Sequence, residues 1–456
     1  MRTYFERIEN CGHRGFDRWL AKLGLNPSRH GWSGWLHSEK AEAGSALKDK
    51  EPVNTIIQSS IAALKETGFP GADRIAALED PNDWRVVKSG EIGLRYAPMT
   101  TRDHRRMGSR ERLLEVRQRY PDRLRIELNA LATRVLFEGR RAVGVEYRKG
   151  ERLYRVHAQP STVDGELRQV RASREVILAG GAFNTPQLLM LSGIGPRQTL
   201  EKYGIPVVFD LPGVGQNLQD RYEVSVVNRM AFPSWEVRKG ARFGKDDPQY
   251  REWSTKRSGV YTSNGSIAAV IVRSHEGKPD PDLFCFATIS NFSGYMPGYA
   301  KGLAEDPNCL SWVVLKGHTY NTGGEVTLQS ADPRDPPHIN FRYFDEGTDA
   351  GGDDVRAVAE GVKLVRKLAD RLKKQGQIMK EELPGDAIPN DSRALEDFIK
   401  NNAWGHHASC SCRIGDRERA VCSHQTFESM GPRAFASSMH LCFPGRPASS
   451  SSARYT

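Results

Sequence analysis

The sequence predicts a mixed α/β fold, and three patterns in its 456 residues lead to this prediction. Alternating apolar residues on both sides of a polar turn at 131–147 predict a β-hairpin. A short apolar strand then runs into Gly180 and Gly181 and continues as a helical segment. In the second half, several apolar β-type segments precede one long amphipathic helical pattern. Strands mixed with helices in this way indicate a sheet that helices cover.

The first part of the chain is predicted to be mainly helix and loop. A helical pattern at 53–69 ends where Gly and Pro break it. A second helix is expected at 109–120, with Ser109 as its cap. The predicted hairpin consists of Leu131–Phe137 and Ala142–Tyr147.

A strand, a pair of glycines and a helix follow the hairpin. Val176–Ala179 is predicted to be a short buried strand that leads directly into the two glycines. The next helix is expected to have Asn184 or Thr185 as its N-cap and Pro186 in its first turn.

The second half contains the remaining predicted elements. Three β-type segments (SIAAVIVRS, LFCFATI and SWVVLKG) lie in the middle of the chain, and residues 323–344 predict two strands around a long turn. An amphipathic helix is predicted over 354–375. A further helix ends within 395–415, which then continues as a loop rich in His and Cys.

Composition excludes several classes of protein. Hydrophobic residues make up 38% and charged residues 27%, which is typical of a globular protein, and no apolar run is long enough for a membrane helix. The first residues lack the apolar core of a secretory signal. The net charge of +10 includes a local excess at 102–125, which we interpret as a solvated basic face and not as a nucleic-acid site. Seven irregularly spaced cysteines favour a reducing compartment, and we expect a cytoplasmic protein.

Two motifs could carry chemistry. A strand that ends in Gly180 and Gly181 lets a phosphate or ribose approach the backbone, although the same arrangement is common packing. The pair His406 and His407 could accept a proton from an alcohol, because an imidazole titrates near neutral pH. GVGQNL at 213–218 lacks the third glycine of a dinucleotide fingerprint, and we interpret it as a turn.

Two other chemistries are weaker alternatives. The two histidines with Cys410 and Cys412 contain zinc-ligand types, but no second ligand pair is visible, and no metal is predicted. No G-x-S-x-G segment occurs, which argues against a serine nucleophile.

Taken together, the motifs resemble those of the glucose–methanol–choline (GMC) family of FAD-dependent oxidoreductases. The segment LAGGAFNTPQLLMLSGIGP at 178–196 is similar to the second signature of the family, and 200–223 continues it. The hairpin at 131–147 resembles the strands that precede this signature. GEVTLQSADPRDPPHINFRYF resembles the start of the family's C-terminal domain, and WGHHASCSCRIG resembles its active-site loop.

The resemblance implies roles for particular residues. His407 aligns with the active-site histidine, and its neighbour His406 is the second catalytic candidate. Val135 matches a position near the adenine, whereas Ala179, Gly180 and Gly181 match backbone beside the ribose and pyrophosphate of FAD. Departures also occur, and they weaken any inference about the substrate: Cys410 and Ser411 replace Gly-Thr, and Arg413 and Ile414 replace the usual pair that ends in Met.

The resemblance also implies a fold and its divisions. We expect an incomplete doubly wound FAD-binding domain and a substrate domain built on an antiparallel sheet with helices. The predicted divisions are a partial FAD-binding domain at 1–222, a substrate-domain portion at 223–320, and a C-terminal domain with the His loop at 321–425.

The two ends of the chain depart from the family pattern. The strand–GxGxxG–helix unit that holds the FAD pyrophosphate in the family is absent from the sequence. Residues 426–456 are expected to be an out-of-frame tail, because a neighbouring reading frame with permissible codons gives the GLRVVDAS-type segment of the family. The serine run at 449–452 would then be a product of the shifted frame.

Two hypotheses about function follow from the resemblance. In the first, the chain is a fragment of an FAD-dependent enzyme that oxidises the CH–OH group of a small alcohol, with His407 as the base. In the second, it is a non-catalytic remnant that cannot retain FAD. The alcohol, the electron acceptor and the second catalytic residue are not predicted. No nucleic acid and no integral membrane segment are expected.

Overall fold

The computed structural model describes residues 2–40, 49–69, 71–72, 75, 77–391 and 393–413, and the backbone of 435–437. The predicted out-of-frame tail at 426–456 lies outside the described residues, except for that short backbone segment. The helices are α1 (Arg2–Ile8), α2 (Gly15–Lys22), α3 (Lys50–Lys65), α4 (Trp84–Ser89), α5 (Ser109–Arg119), α6 (Gly181–Leu191), α7 (Arg197–Lys202), α8 (Pro248–Lys256), α9 (Tyr299–Glu305), α10 (Asp353–Lys374) and α11 (Arg393–Asn402).

The strands are interspersed among these helices, and several follow one another directly. They are β1 (Glu9–Cys11), β2 (Leu36–Ser38), β3 (Gly93–Arg95), β4 (Thr101–Arg102), β5 (Arg105–Arg106), β6 (Ala130–Glu138), β7 (Arg141–Lys149), β8 (Glu166–Arg171), β9 (Val176–Leu178), β10 (Ile194–Gly195), β11 (Phe209–Asp210), β12 (Gln216–Leu218), β13 (Glu223–Met230), β14 (Ser266–Val272), β15 (Leu283–Thr288), β16 (Cys309–Lys316), β17 (Gly324–Thr327), β18 (His338–Asn340), β19 (Ile378–Leu383) and β20 (Phe435–Ser437). Short 3₁₀ turns occur at Glu236–Arg238, Val260–Thr262 and Phe344–Glu346.

The largest sheet of the described residues has six antiparallel strands in the order β19-β13-β16-β15-β14-β3. Every residue of its inner strand β16 is buried, so both faces of the sheet are covered there. Helix α10 packs on one face, and Gly361 permits close approach because a side chain there would meet Val314 at 2.3 Å. The β-type segments and the long amphipathic helix that the sequence predicts are confirmed.

A second hydrophobic core lies around the predicted hairpin. Strands β6 and β7 pair antiparallel and β8 extends them to three strands, which confirms the hairpin. Strand β9 and helix α6 pack against this unit. Strand β9 pairs in parallel with the backbone of β20. Parallel pairing also joins β1 to β2 and β10 to β11, so the described chain is a mixed α/β structure.

Two predicted helix caps are wrong. Ser109 is the first residue of helix α5, because Gly108 takes the cap position and donates its N–H to Glu111 Oε2 at 3.0 Å. Helix α6 begins at Gly181, so Pro186 lies inside it and not in its first turn. Thr185 contributes in another way, because its Oγ1 accepts the N–H of Gly180 at 3.0 Å.

The predicted domain boundaries stay a prediction. The six-stranded sheet takes β3 from the first predicted division, four strands from the second and β19 from the third. No helix of the described residues is long and apolar enough to cross a membrane.

Candidate active site

The His-containing loop at 403–413 is held along the segment 219–223 by antiparallel bridges. Glu223 and Trp404 exchange backbone hydrogen bonds of 2.8 and 3.0 Å. Gln219 and Ser409 form a second such pair, with distances of 3.0 and 2.9 Å. The residues between the two bridges, which include both histidines, therefore have a fixed position relative to the start of β13.

Glu223 brings the two histidines together. Its Oε1 lies 3.2 Å from Nδ1 of His406 and 3.2 Å from Nε2 of His407. The Glu223 side chain is fully buried, that of His407 is 12% exposed and that of His406 is 38% exposed. The two rings lie side by side, with their centroids 3.9 Å apart. One buried carboxyl group thus contacts both imidazoles.

The electrostatics of this cluster favour neutral forms. Burial, and then the nearby Asp220, raise the pKa of Glu223 well above its usual value, although Arg221 opposes the shift. Burial, together with the neighbouring His407, lowers the pKa of His406 to about 4. The two carboxyl oxygens of Glu223 form no hydrogen bond within the described residues, so the close contact is better described as packing of neutral groups than as an ion pair.

Asp220 fixes the backbone beside His407. Its Oδ1 accepts the backbone N–H of His407 at 2.8 Å, and its Oδ2 accepts the hydroxyl of Tyr343 at 3.1 Å. Burial raises the pKa of this carboxyl, and these hydrogen bonds oppose the rise. A side chain at position 405 would meet Asp220 Oδ2 at 2.4 Å, so Gly405 is required for this close approach.

Aromatic rings surround His406. Trp404 stacks on it at 5.5 Å with an interplanar angle of 17°, and Tyr295 contacts it edge-on at 4.7 Å. Phe292 packs against both Trp404 and Tyr295. These rings form an apolar wall beside the two histidines and contribute to the desolvation of the cluster.

The same loop reaches the start of helix α6, which begins at the second glycine of the pair. The hydroxyl of Ser411 donates to the carbonyl of Ala182 at 2.6 Å, and the carbonyl of Ser411 accepts the N–H of Gly215 at 2.8 Å. Cys410 has φ of +73°, a left-handed conformation that favours glycine. The histidine loop is thus joined by a direct hydrogen bond to the first turn of helix α6, at the residue after the glycine pair.

Comparison with known proteins now assigns the family. Models of the GMC oxidoreductase family match residues 35–223 and 320–431. The chain belongs to the GMC oxidoreductase family. The oxygen-dependent choline dehydrogenase of Pseudomonas syringae pv. tomato is 30% identical over 403 residues, which cover 87% of this chain and 62% of that protein. The mitochondrial choline dehydrogenase of Mus musculus is 32% identical over 406 residues, which cover 86% and 58%. The chain thus spans about 60% of the length of these relatives.

Solved structures share the fold. A formate oxidase of Aspergillus oryzae RIB40, in a study of FAD modification, superposes with a TM-score of 0.74 at 21% identity, covering 99% of this chain and 75% of that one. Pyridoxine 4-oxidase gives a TM-score of 0.68 at 19% identity, covering 99% and 74%. The predicted mixed fold and the predicted family are confirmed, and FAD is the cofactor of this GMC family.

The glycine pair of this GMC chain fits a cofactor that approaches the backbone. Ala179 and Gly180 are exposed, and Gly181 has φ of +81° with open space where a side chain would lie. Val135 differs, because it is 3% exposed in the second core and its N–H donates to Ser192 Oγ at 2.8 Å. The glycine pair therefore remains a good candidate for contact with FAD, whereas the backbone N–H of Val135 is already bonded.

Sequence reasoning missed two residues of the GMC site. Glu223 and Asp220 both lie in a segment that the motif search interpreted as a continuation of the signature. One signal could have identified Glu223, because it begins the apolar strand β13, where an unpaired charge is costly. The possible zinc set of the sequence differs from the observed cluster, in which Glu223 joins His406 and His407.

Proposed function

We propose that this chain belongs to an enzyme that oxidises the CH–OH group of a small alcohol, with His407 as the base. The observation that carries the proposal is the contact of 3.2 Å between His407 Nε2 and the fully buried Glu223. Bound FAD would supply the hydride acceptor. His407 is 12% exposed, and this position is compatible with a substrate hydroxyl that reaches the ring while bulk water is largely excluded.

Glu223 acts as a positioning residue in this proposal. Its carboxyl group packs against Nε2 of His407, so it limits how the ring can turn. Asp220 holds the backbone of the same histidine. His406, the other catalytic candidate, stacks on Trp404 and has a lowered pKa, so it supports the site as a neutral neighbour.

Choline is the first substrate to test. The relatives that match are named as choline dehydrogenases. Tyr295, which is 49% exposed beside His406, offers an aromatic ring of the kind that attracts a quaternary ammonium group.

The test is reduction of flavin by an alcohol without oxygen. The full chain is incubated with FAD, unbound flavin is removed, and choline is added anaerobically while flavin absorbance is followed. We expect bleaching in the wild-type chain and a rate lower by about 10²–10⁴-fold in His407→Asn. His406→Asn is the matched control, because it alters the neighbouring ring and leaves the base in place.

The pH profile tests the role of Glu223. Glu223, Asp220 and His406 contact His407. Arg221 acts on Glu223, and Tyr343 is bonded to Asp220. In Glu223→Gln, the pH at which flavin reduction rises should stay where it is in the wild type, because a protonated Glu223 and a glutamine are both neutral. In Glu223→Ala, the rate should fall, because the ring of His407 loses the side chain that packs against its Nε2. A profile that moves downward in Glu223→Gln would show that Glu223 is ionised in the folded chain, and an unchanged rate in Glu223→Ala would contradict the positioning role. A wild-type chain that retains no flavin would favour the alternative of a non-catalytic remnant.

A further inference from the structure

A second cluster of chemically active side chains lies far along the chain from the histidine loop. Glu9, Cys11 and His30 are all buried, and one ligand atom from each lies within 4.8 Å of the other two. His13 and Asp80 complete the cluster. None of these residues takes part in the proposed reaction.

The local fold explains how the cluster forms. Side chains two positions apart on a strand share a face, so Glu9 and Cys11 of β1 both point into the interior. The loop that carries His30 packs tightly against β1, because a side chain at Gly31 would meet the carbonyl of Glu9 at 2.6 Å. The N–H of Gly31 also donates to Glu9 Oε2 at 2.9 Å.

The distances within the cluster are close to those of a tetrahedral metal site. His30 Nδ1 lies 3.1 Å from Glu9 Oε1, and Cys11 Sγ lies 3.6 Å from His13 Nδ1. Ligand atoms bound to one tetrahedral zinc ion are separated by about 3.3–3.6 Å for bonds of ordinary length. The ligand atoms of Glu9, Cys11 and His30 lie within 4.8 Å of one another, so a bound ion would draw the widest pair together by at most about 1.5 Å.

Asp80 supplies the outer contacts that metal-bound histidines usually have. Its Oδ2 lies 3.0 Å from Nε2 of His13 and 3.3 Å from Nε2 of His30. Tyr96 donates its hydroxyl to the same oxygen at 2.6 Å. His30 thus turns Nε2 toward the carboxylate and Nδ1 toward Glu9, the arrangement that orients a histidine ligand around a metal. His13 contacts Asp80 through Nε2, and Cys11 Sγ lies beside its ring, 3.6 Å from Nδ1 and 3.8 Å from Nε2.

We propose that Glu9, Cys11, His13 and His30 bind a structural divalent zinc ion. One thiolate, one carboxylate and two neutral imidazoles around a divalent cation give a neutral set, and mixed S, N and O ligands suit zinc. The complete burial of Cys11 and His30 indicates a closed structural site and not a catalytic one. The ion would tie β1 to the loop that carries His30.

Metal content tests the proposal. The full chain is freed of metal, incubated with an equimolar amount of Zn²⁺, passed over a desalting column and analysed by mass spectrometry of the element. We expect about one zinc ion per chain in the wild type and less than about a tenth of that in Cys11→Ser. Glu223→Gln and Cys412→Ser are matched controls that should retain the ion, since both change the histidine-loop region.

Cobalt gives an independent measurement. A thiolate bound to Co²⁺ produces a charge-transfer absorption band, which should appear in the wild type and in Cys412→Ser and be absent in Cys11→Ser. A wild-type chain that takes up less than about a tenth of an equivalent of zinc would overturn the proposal, even where Cys11→Ser fails to fold. Zinc that persists in Cys11→Ser, or that is lost in Glu223→Gln, would also overturn it.

Discussion

The two histidine clusters of this protein use the same residue types with opposite electrostatics. In the N-terminal cluster, burial alone would lower the pKa of His13, but hydrogen bonding to Asp80 raises it to about 9. The same balance raises the pKa of His30 to about 11. In the loop cluster, burial raises the pKa of Glu223 and lowers that of His406 to about 4.

The difference lies in how the charges are matched. Asp80 contacts the imidazoles of both His13 and His30. Its carboxylate therefore stabilises positive charge on this cluster, whether protons on the imidazoles or a bound metal ion supply that charge. Glu223 instead lies near Asp220, which disfavours its ionisation. A cluster in which opposite charges contact each other stabilises the fold. A cluster in which like charges or burial disfavour ionisation instead shifts the pKa values of its groups, as is common around a catalytic base.

Removal of Asp80 should have the largest effect on stability. Asp80→Ala leaves two buried imidazoles without their shared carboxylate, and we expect the free energy of unfolding to fall by about 3–5 kcal/mol. Urea denaturation of the full chain measures this loss of stability. Asp80→Asn, which retains the shape and loses the charge, should lie between the wild type and Asp80→Ala. A loss below about 1 kcal/mol would show that the charges are not matched there.

A side chain at position 405 tests how tightly the loop cluster is built. In Gly405→Ala the new methyl group meets Asp220 Oδ2 at 2.4 Å, so either the carboxyl or the loop must move. We expect a loss of about 1–3 kcal/mol in thermal or urea denaturation, as for other overpacked sites. Gly302→Ala in helix α9 is the matched control, because its methyl group meets nothing within 4 Å. Equal effects of the two substitutions would contradict the tight contact.

Much of the fold could be predicted from local patterns. The hairpin of β6 and β7, the three central β segments and helix α10 follow from apolar periodicity, which is a property of neighbouring residues. Helix boundaries are less accurate, because Gly108 and Gly180 occupy the cap positions that were expected for Ser109 and for Asn184 or Thr185. Several neighbouring residues can cap the same helix, and the sequence alone does not show which of them does.

The two clusters could not be predicted in the same way. His407 was found through its motif, but Glu223 reaches it only because strand β13 pairs with the loop at Trp404. The N-terminal cluster joins residues as distant in sequence as Cys11 and Asp80. Such contacts depend on the register of distant segments, and no local pattern encodes them.

Replacement of Glu223 should stabilise the folded chain, whereas replacement of Asp80 should destabilise it. The folded chain retains the Glu223 proton to a higher pH than the unfolded chain, so the wild type loses stability as pH rises above about 4.5. Glu223→Gln removes this penalty, so its stability relative to the wild type should increase between pH 5 and pH 8, by less than the loss in Gly405→Ala. Urea denaturation at both pH values measures the difference, with the exposed Glu175→Gln as control. A difference that shrinks with pH would indicate that Glu223 is ionised in the folded chain.

The smallest effect is expected at His406. Its unfolded form takes up a proton near pH 6.5, whereas its folded form resists protonation until about pH 4. The unfolded chain therefore binds more protons in this window, and stability declines as pH falls from about 6.5 to about 4. Because the side chain is 38% exposed, solvent screening limits the contribution to about 1 kcal/mol.

His406→Gln should remove that part of the acid sensitivity, and thermal denaturation across the window measures it. The exposed His157→Gln is the matched control and should leave the pH dependence unchanged. If His406→Gln instead made the chain more sensitive to acid, the histidine would be protonated in the folded state and paired with an ionised Glu223. The loop cluster would then be matched like the N-terminal one, and the electrostatic contrast between the two sites would disappear.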